Sequence, residues 1–69
     1  MFVRIGDKVK LSEVRLIELS KNEPERAKMF KDKIGVITGF DDMTWHYIVK
    51  FGNQEFSIRK YNLEHVKEN

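Results

Sequence analysis

Seven residues in the middle of the chain, Ile34-Gly35-Val36-Ile37-Thr38-Gly39-Phe40, restrict its fold more than any other stretch. β-Branched and aromatic side chains favour a strand here. Two glycines interrupt it, and glycine inside a strand marks a bulge, a sharp bend or a close backbone approach. By parity Gly35 and Gly39 fall on one face and leave gaps there. Bends of this kind let a sheet curl. A polar turn at Asp41-Asp42 follows, and a second strand, Trp45 to Phe51, returns at hairpin distance. Trp45, Tyr47, Val49 and Phe51 share one of its faces, and His46, Ile48 and Lys50 the other. The expectation is a small, strongly curved β-sheet.

The flanking segments extend that sheet. Gly6-Asp7 reads as a turn, and Lys8-Val9-Lys10-Leu11 alternates charged and apolar residues, the period of a half-buried strand. Residues 12–30 are less determined. From Glu13 to Leu19 a short helix and an irregular strand fit equally, because Val14 and Leu16 share a side and Ile17 and Leu19 then switch. Asn22 with Glu25 three residues on resembles a capping box, and Pro24 suits a first helical turn. Ala27 and Phe30 would share one helical face. A long excursion ending in one or two helical turns is expected. Gly52-Asn53 is a turn in the reverse order of the favoured Asn-Gly. Glu55 to Arg59 reads as a strand with Phe56 and Ile58 inward, and Lys60 to Leu63 as a tight helical turn. Leu63 to Val66 closes the sheet as a short strand, and Lys67-Glu68-Asn69 is a frayed tail. The expected core is Val9, Leu11, Ile34, Val36, Val49, Phe51, Phe56, Ile58, Leu63 and Val66.

A chain of 69 residues is expected to form one domain, residues 1–69, with a small core. It has no cysteine, hence neither a disulfide framework nor a thiolate metal site, which fits a reducing cytoplasm. Arg4, Asp7, Lys8 and Lys10 interrupt any early apolar run, so no secretory leader is expected. The longest uncharged stretch falls far short of the ~20 residues that span a bilayer, and no membrane partner is expected. Thirteen basic residues against 11 acids give a net charge of +2. This permits nucleic acid as a partner without requiring it.

The Gly6-Asp7-Lys8-Val9 opening and the Lys33-Ile34-Gly35-Val36-Ile37-Thr38-Gly39 centre resemble a KOW-type SH3-like barrel. So do the aromatic strand Tyr47-Ile48-Val49-Lys50-Phe51 and the ending Tyr61-Asn62-Leu63-Glu64-His65-Val66. The chain is also similar to small single-domain SH3-like proteins of bacterial phages and prophages. The resemblance implies an all-β domain, a small five-stranded SH3-like barrel, here with a long first loop carrying a short helical segment. KOW-type barrels occur in ribosomal proteins and transcription-elongation factors, where they touch RNA or a protein. The resemblance therefore implies binding rather than catalysis, in a cytoplasmic setting (the host cytoplasm if the origin is a phage).

Chemistry-bearing residues are sparse. His46 and His65 have no serine, cysteine or carboxylate at a triad-like spacing, so no catalytic residues are assigned. Asp41, Asp42, His46 and His65 have no diagnostic ligand spacing, so no metal or other cofactor is expected. The two central glycines lack the Gly-Lys-Ser/Thr ending of a phosphate-binding loop. The informative set is basic and aromatic: Lys28, Lys31 and Lys33 before the central strand, Trp45 and Lys50 on its partner, and Arg59, Lys60 and Tyr61 after the third strand. Amines on phosphates and flat rings against bases are how single-stranded RNA is held. RNA or another single-stranded nucleic acid is thus the first expected partner. The alternative is a protein partner, such as a host transcription or other cellular protein, met by Val14, Leu16, Ile17 and Leu19. A monomer is expected over a dimer paired through a sheet edge.

Overall fold

The computed structural model describes residues 3–67. The end of the tail expected at Lys67-Glu68-Asn69 lies outside the described residues. Five strands form one antiparallel sheet: β1 (Lys8–Leu11), β2 (Gly35–Asp41), β3 (His46–Phe51), β4 (Gln54–Arg59) and β5 (Leu63–His65). Their order is β4-β3-β2-β1-β5, so β4 and β5 remain edges and hydrogen bonds do not close the sheet. A 3-10 turn, Lys60–Asn62, joins β4 to β5. Between β1 and β2 the excursion forms two consecutive helices, α1 (Glu13–Asn22) and α2 (Pro24–Phe30). This is more helix than the one or two turns expected. Neither helix is long and apolar enough to cross a membrane.

Local chemistry explains both helices. Ser12 caps α1: its backbone is extended, its Oγ accepts from the Arg15 N–H at 3.3 Å, and its carbonyl accepts from Leu16. Such a cap is worth about 1 kcal/mol. Leu16 and Leu19, three apart, then fall on one stripe against the sheet, which settles the segment as helical. Pro24 disfavours helical dihedrals at the residue before it, so the helix breaks at Glu23 (φ −142°, ψ 71°) and restarts with Pro24 in its first turn. The capping box expected from Asn22 and Glu25 does not form. Asn22 is the last residue of α1, and Glu23 at the α2 cap makes no side-chain capping bond.

Ala27 and Phe30 are buried, as the helical reading of their spacing requires. The Phe30 ring meets Phe51 edge-on (5.2 Å between centroids, 83°) and Phe56 likewise (4.9 Å, 67°). The helices therefore lie against the sheet and complete its core. That core comprises Val9, Leu11, Leu19, Ala27, Phe30, Ile37, Val49, Phe51, Ile58 and Leu63. Phe56 packs against it half-buried, and Val66 is also half-buried.

The central strand faces the opposite way from expectation. Ile34 and Val36 are exposed, while Ile37 is 1% exposed. Register explains the reversal. Val9 pairs with Gly35 and Ile37 with Val49, so Gly35 and Ile37 look inward. A one-residue shift exchanges every side chain between faces, and Ile34-x-Val36 reads as apolar on the wrong one. The two glycines also do not share a face. The register slips between Ile37 and Gly39, and Gly39 then pairs with Ile48 on the outer side. Gly35 alone opens the inner face. A Cβ there would meet Val49 Cγ1 at 2.7 Å and the Phe51 ring at 2.9 Å. Val49 is fully buried and β-branched, so it has no room to yield. Gly35→Ala should lower stability by about 1–3 kcal/mol in a denaturant titration.

Two turns match their chemistry. Gly6 (φ +95°) sits in a turn closed by the Asp7 N–H donating to the Arg4 carbonyl at 3.0 Å. Gly52 (φ +62°) opens the two-residue β3–β4 hairpin, whose second residue, Asn53, keeps negative φ. That is a type II′ turn, which wants glycine first and so accounts for the Gly-Asn order.

Asp7 also fastens the start of β1 to β5. Its Oδ2 accepts from the Arg4 N–H at 2.8 Å and lies 3.0 Å from His65 Nε2. The Arg4 backbone bond first, and the His65 bond second, hold its carboxyl below the ordinary 3.8. The ionised form is therefore favoured by folding. Its contribution is fully present above the ordinary value and is lost as pH falls through the lowered one. Asp7→Asn should flatten the acid limb of a melting-temperature-versus-pH curve below about pH 4, where the wild type still titrates.

Candidate functional site

The β2–β3 hairpin carries the most exposed aromatic groups of the sheet. Asp41 Oδ1 accepts from the Met43 N–H at 3.0 Å and starts the turn, which is the expected structural use of that aspartate. The turn ends on Trp45, held at φ +60°. The left-handed region is rare for a bulky residue and costs of order 1–3 kcal/mol. Trp45 is 75% exposed. Its ring stands edge-on to Phe40 (6.2 Å, 74°), which is tilted over Tyr47 (4.9 Å, 54°). Three rings from the two arms of one hairpin thus form a continuous row.

The end of β4 supplies the opposite wall. Arg59 lies directly across the ladder from His46. It donates from Nε to His46 Nε2 at 3.1 Å and from a terminal nitrogen to the Tyr61 hydroxyl at 2.9 Å. Arg59 can only donate, so His46 Nε2 must accept. The imidazole proton is then on Nδ1, which donates to Ser57 Oγ at 3.1 Å. The chain Ser57–His46–Arg59–Tyr61 fixes the guanidinium, whose carbon lies 5.9 Å from the Tyr61 ring centroid, within cation–π range. Tyr61 itself is 71% exposed.

Between the walls is a groove of about 470 Å³ lined by Phe40, Trp45 and Tyr47, with Thr44 at the turn and Arg59, Lys60 and Tyr61 facing them. Four of the eight residues assigned from sequence to nucleic-acid binding meet here: Trp45, Arg59, Lys60 and Tyr61. The other four do not. Lys28 lies 3.6 Å from the Glu25 carboxylate on α2. Lys31 directly follows that helix. Lys33 lines a separate groove where Lys10 and Lys67 are balanced by Glu13, Asp32 and Glu64. Lys50 is five residues from Trp45, roughly 17 Å along a strand, and pairs across the sheet with Glu55 on the outer face.

Phe40 and His46 were not assigned from sequence. Phe40 precedes the Asp41-Asp42 turn and Trp45 follows it, so hairpin geometry was the signal that they meet. His46 acts only by orienting Arg59, and that role depends on the β3–β4 register. The residues offered for a protein partner separate into two sets. Leu19 is buried and Leu16 packs on the core, whereas Val14 and Ile17 remain exposed on α1. His65, bound to Asp7, and His46, bound to Arg59 and Ser57, are engaged separately. Among the described residues no three metal-ligating side chains converge.

No family model matches the chain, and comparisons with curated proteins and with solved structures return no match.

Proposed function

We propose that this chain is a non-enzymatic binding module, an SH3-like barrel of the KOW type, that holds single-stranded RNA across its rim in the cytoplasm. The strand order supports the barrel. β1 lies between β2 and β5, and the Ser12 N–H donates to the Asn62 carbonyl at 2.7 Å, drawing the start of α1 to the turn that ends β4.

One observation carries the functional reading: Trp45 and Tyr61 stand exposed on either side of a groove whose charged lining is Arg59 and Lys60, with no carboxylate among the described residues. Exposed rings take unstacked bases, at about 1–3 kcal/mol each, and the cations take the adjoining phosphates. A duplex keeps its base faces covered and offers these rings nothing.

Trp45 is the only tryptophan, so its fluorescence reports directly on the groove. Titration with a single-stranded oligoribonucleotide should quench it, and duplex DNA should not. With Arg59 and Lys60 as the phosphate contacts, the log–log salt slope should be roughly −1.4, at −0.7 per phosphate on a single strand. Affinity that stays flat from low to physiological salt would overturn the reading.

A second reading, contact with a protein, is favoured by Val14 and Ile17, two exposed apolar side chains three apart on α1. A partner retained from nuclease-treated lysate by the wild type, and lost with Val14→Asp/Ile17→Asp, would favour it over RNA.

A further inference from the structure

A second groove, of about 370 Å³, adjoins the first and shares Arg59 and Tyr61 with it. It runs between the free edge of β4 and the helices. Leu11, Leu19, Phe30, Phe56 and Ile58 contribute its apolar lining. Arg15 from α1 and Arg26 from α2 join Arg59 there, and among the described residues no aspartate or glutamate lines it. The third groove, by contrast, has Glu13, Asp32 and Glu64 against its lysines. On a chain with a net charge of only +2, three arginines line this one groove.

Arg15 and Arg26 are each held by one carboxylate of their own neighbourhood. Arg15 lies 3.2 Å from Glu18 and Arg26 lies 3.8 Å from Glu23, both three residues apart in sequence and solvent-exposed. Pairs of this kind are weak, and a bidentate phosphate competes with them effectively. Both arginines come from the helical excursion, where Lys28 alone was assigned to nucleic acid from sequence.

We infer that the two grooves form one track. A single nucleic-acid strand stacks its bases at Trp45 and Tyr61, passes Arg59, and sets its next phosphates against Arg26 and Arg15. The inference rests on the RNA-binding reading above and adds to it a direction along the protein, a longer site and two phosphate-binding residues. Arginine suits the task because its planar fork matches phosphate oxygens and its charge is permanent.

Oligouridylates of ~3 and ~8 nucleotides test it, since small β-folds occupy ~4–16 nucleotides of single strand. For Arg15→Gln/Arg26→Gln, affinity for the longer oligomer should fall about tenfold and its salt slope should become shallower by roughly 1.4, while the shorter oligomer binds as to wild type. Arg15→Lys/Arg26→Lys should keep the slope. In the unmodified protein, NMR signals of the Arg15 and Arg26 side chains should move with the longer oligomer and not with the shorter one. If both oligomers bind and neither the Gln variant nor these signals respond, the track is wrong and the Trp45 groove stands. If neither oligomer binds the wild type, the RNA reading fails and the track with it. If a glutamate-rich peptide moves the two arginine signals while the longer oligomer leaves them still, the second groove serves a peptide and the inference is overturned.

Discussion

Phe30→Ala should all but unfold the domain. Phe30 is buried and places its ring edge-on to both Phe51 and Phe56, so it joins α2 to β3 and β4. Truncating such a ring costs about 3–5 kcal/mol, through lost burial and the cavity left behind. A 69-residue domain has about 3–10 kcal/mol of total stability to lose. At 4–8 °C per kcal/mol for a domain this small, the melting temperature should drop by more than about 12 °C. Circular dichroism melts of Phe30→Ala against Phe30→Leu, which retains most of the volume, measure the effect. A shift of only a few degrees would mean that the helices decorate the sheet rather than complete its core.

Trp45→Gly separates binding from folding. Removing the ring should weaken RNA binding by about 1–3 kcal/mol, a factor of roughly 5 to 150. The fold should survive, because two effects oppose each other. The edge contact with Phe40 is lost, worth about 0.5–1.5 kcal/mol. Glycine, however, adopts φ near +60° without the steric cost that tryptophan bears there. Trp45→Ala loses the ring and keeps the strain, so it should melt at or below Trp45→Gly and bind equally poorly. Labelled-oligonucleotide anisotropy and a thermal melt on both variants provide the comparison. Retained affinity in either variant would remove Trp45 from the site.

The left-handed φ of Trp45 is a stored backbone cost at the most exposed aromatic side chain among the described residues. Asp41 does the conformational work of the turn through its bond to the Met43 N–H. Trp45 contributes little to the turn that glycine would not provide better.

Much of the sheet was legible because strands write their period into the sequence. Val9 and Leu11, and Phe56 and Ile58, alternate with charged or polar neighbours, Val49 and Phe51 flank Lys50, and each face is as read. The β2 face was not legible. Its inward positions are Gly35 and Ile37, and a glycine that makes room for Val49 and Phe51 contributes no apolar signal of its own. Val36, exposed, looks more like core than Gly35 does. The excursion was half legible: Pro24, Ala27 and Phe30 announced α2, whereas Glu13 to Leu19 carried two periods at once. The Ser12 cap and the packing of Leu16 and Leu19 chose between them.

The candidate site divides along the same line. Trp45, Arg59, Lys60 and Tyr61 were visible as residue types beside strand ends. The lysines near α2 were equally visible, and they lie elsewhere. Which cations join which rings depends on the pairing of β3 with β4, which sets His46 against Arg59 and turns the guanidinium toward Tyr61.

The sequence by itself determined the strands, their turns and the chemistry available, because alternation, glycine and proline act over a few residues. The tertiary structure alone decided the face of β2, the bulge that turns Gly39 outward, and the meeting of Phe40 and Trp45 with Arg59 and Tyr61. Those outcomes rest on register between segments distant in the chain, and register is fixed by the sum of packing across the whole sheet.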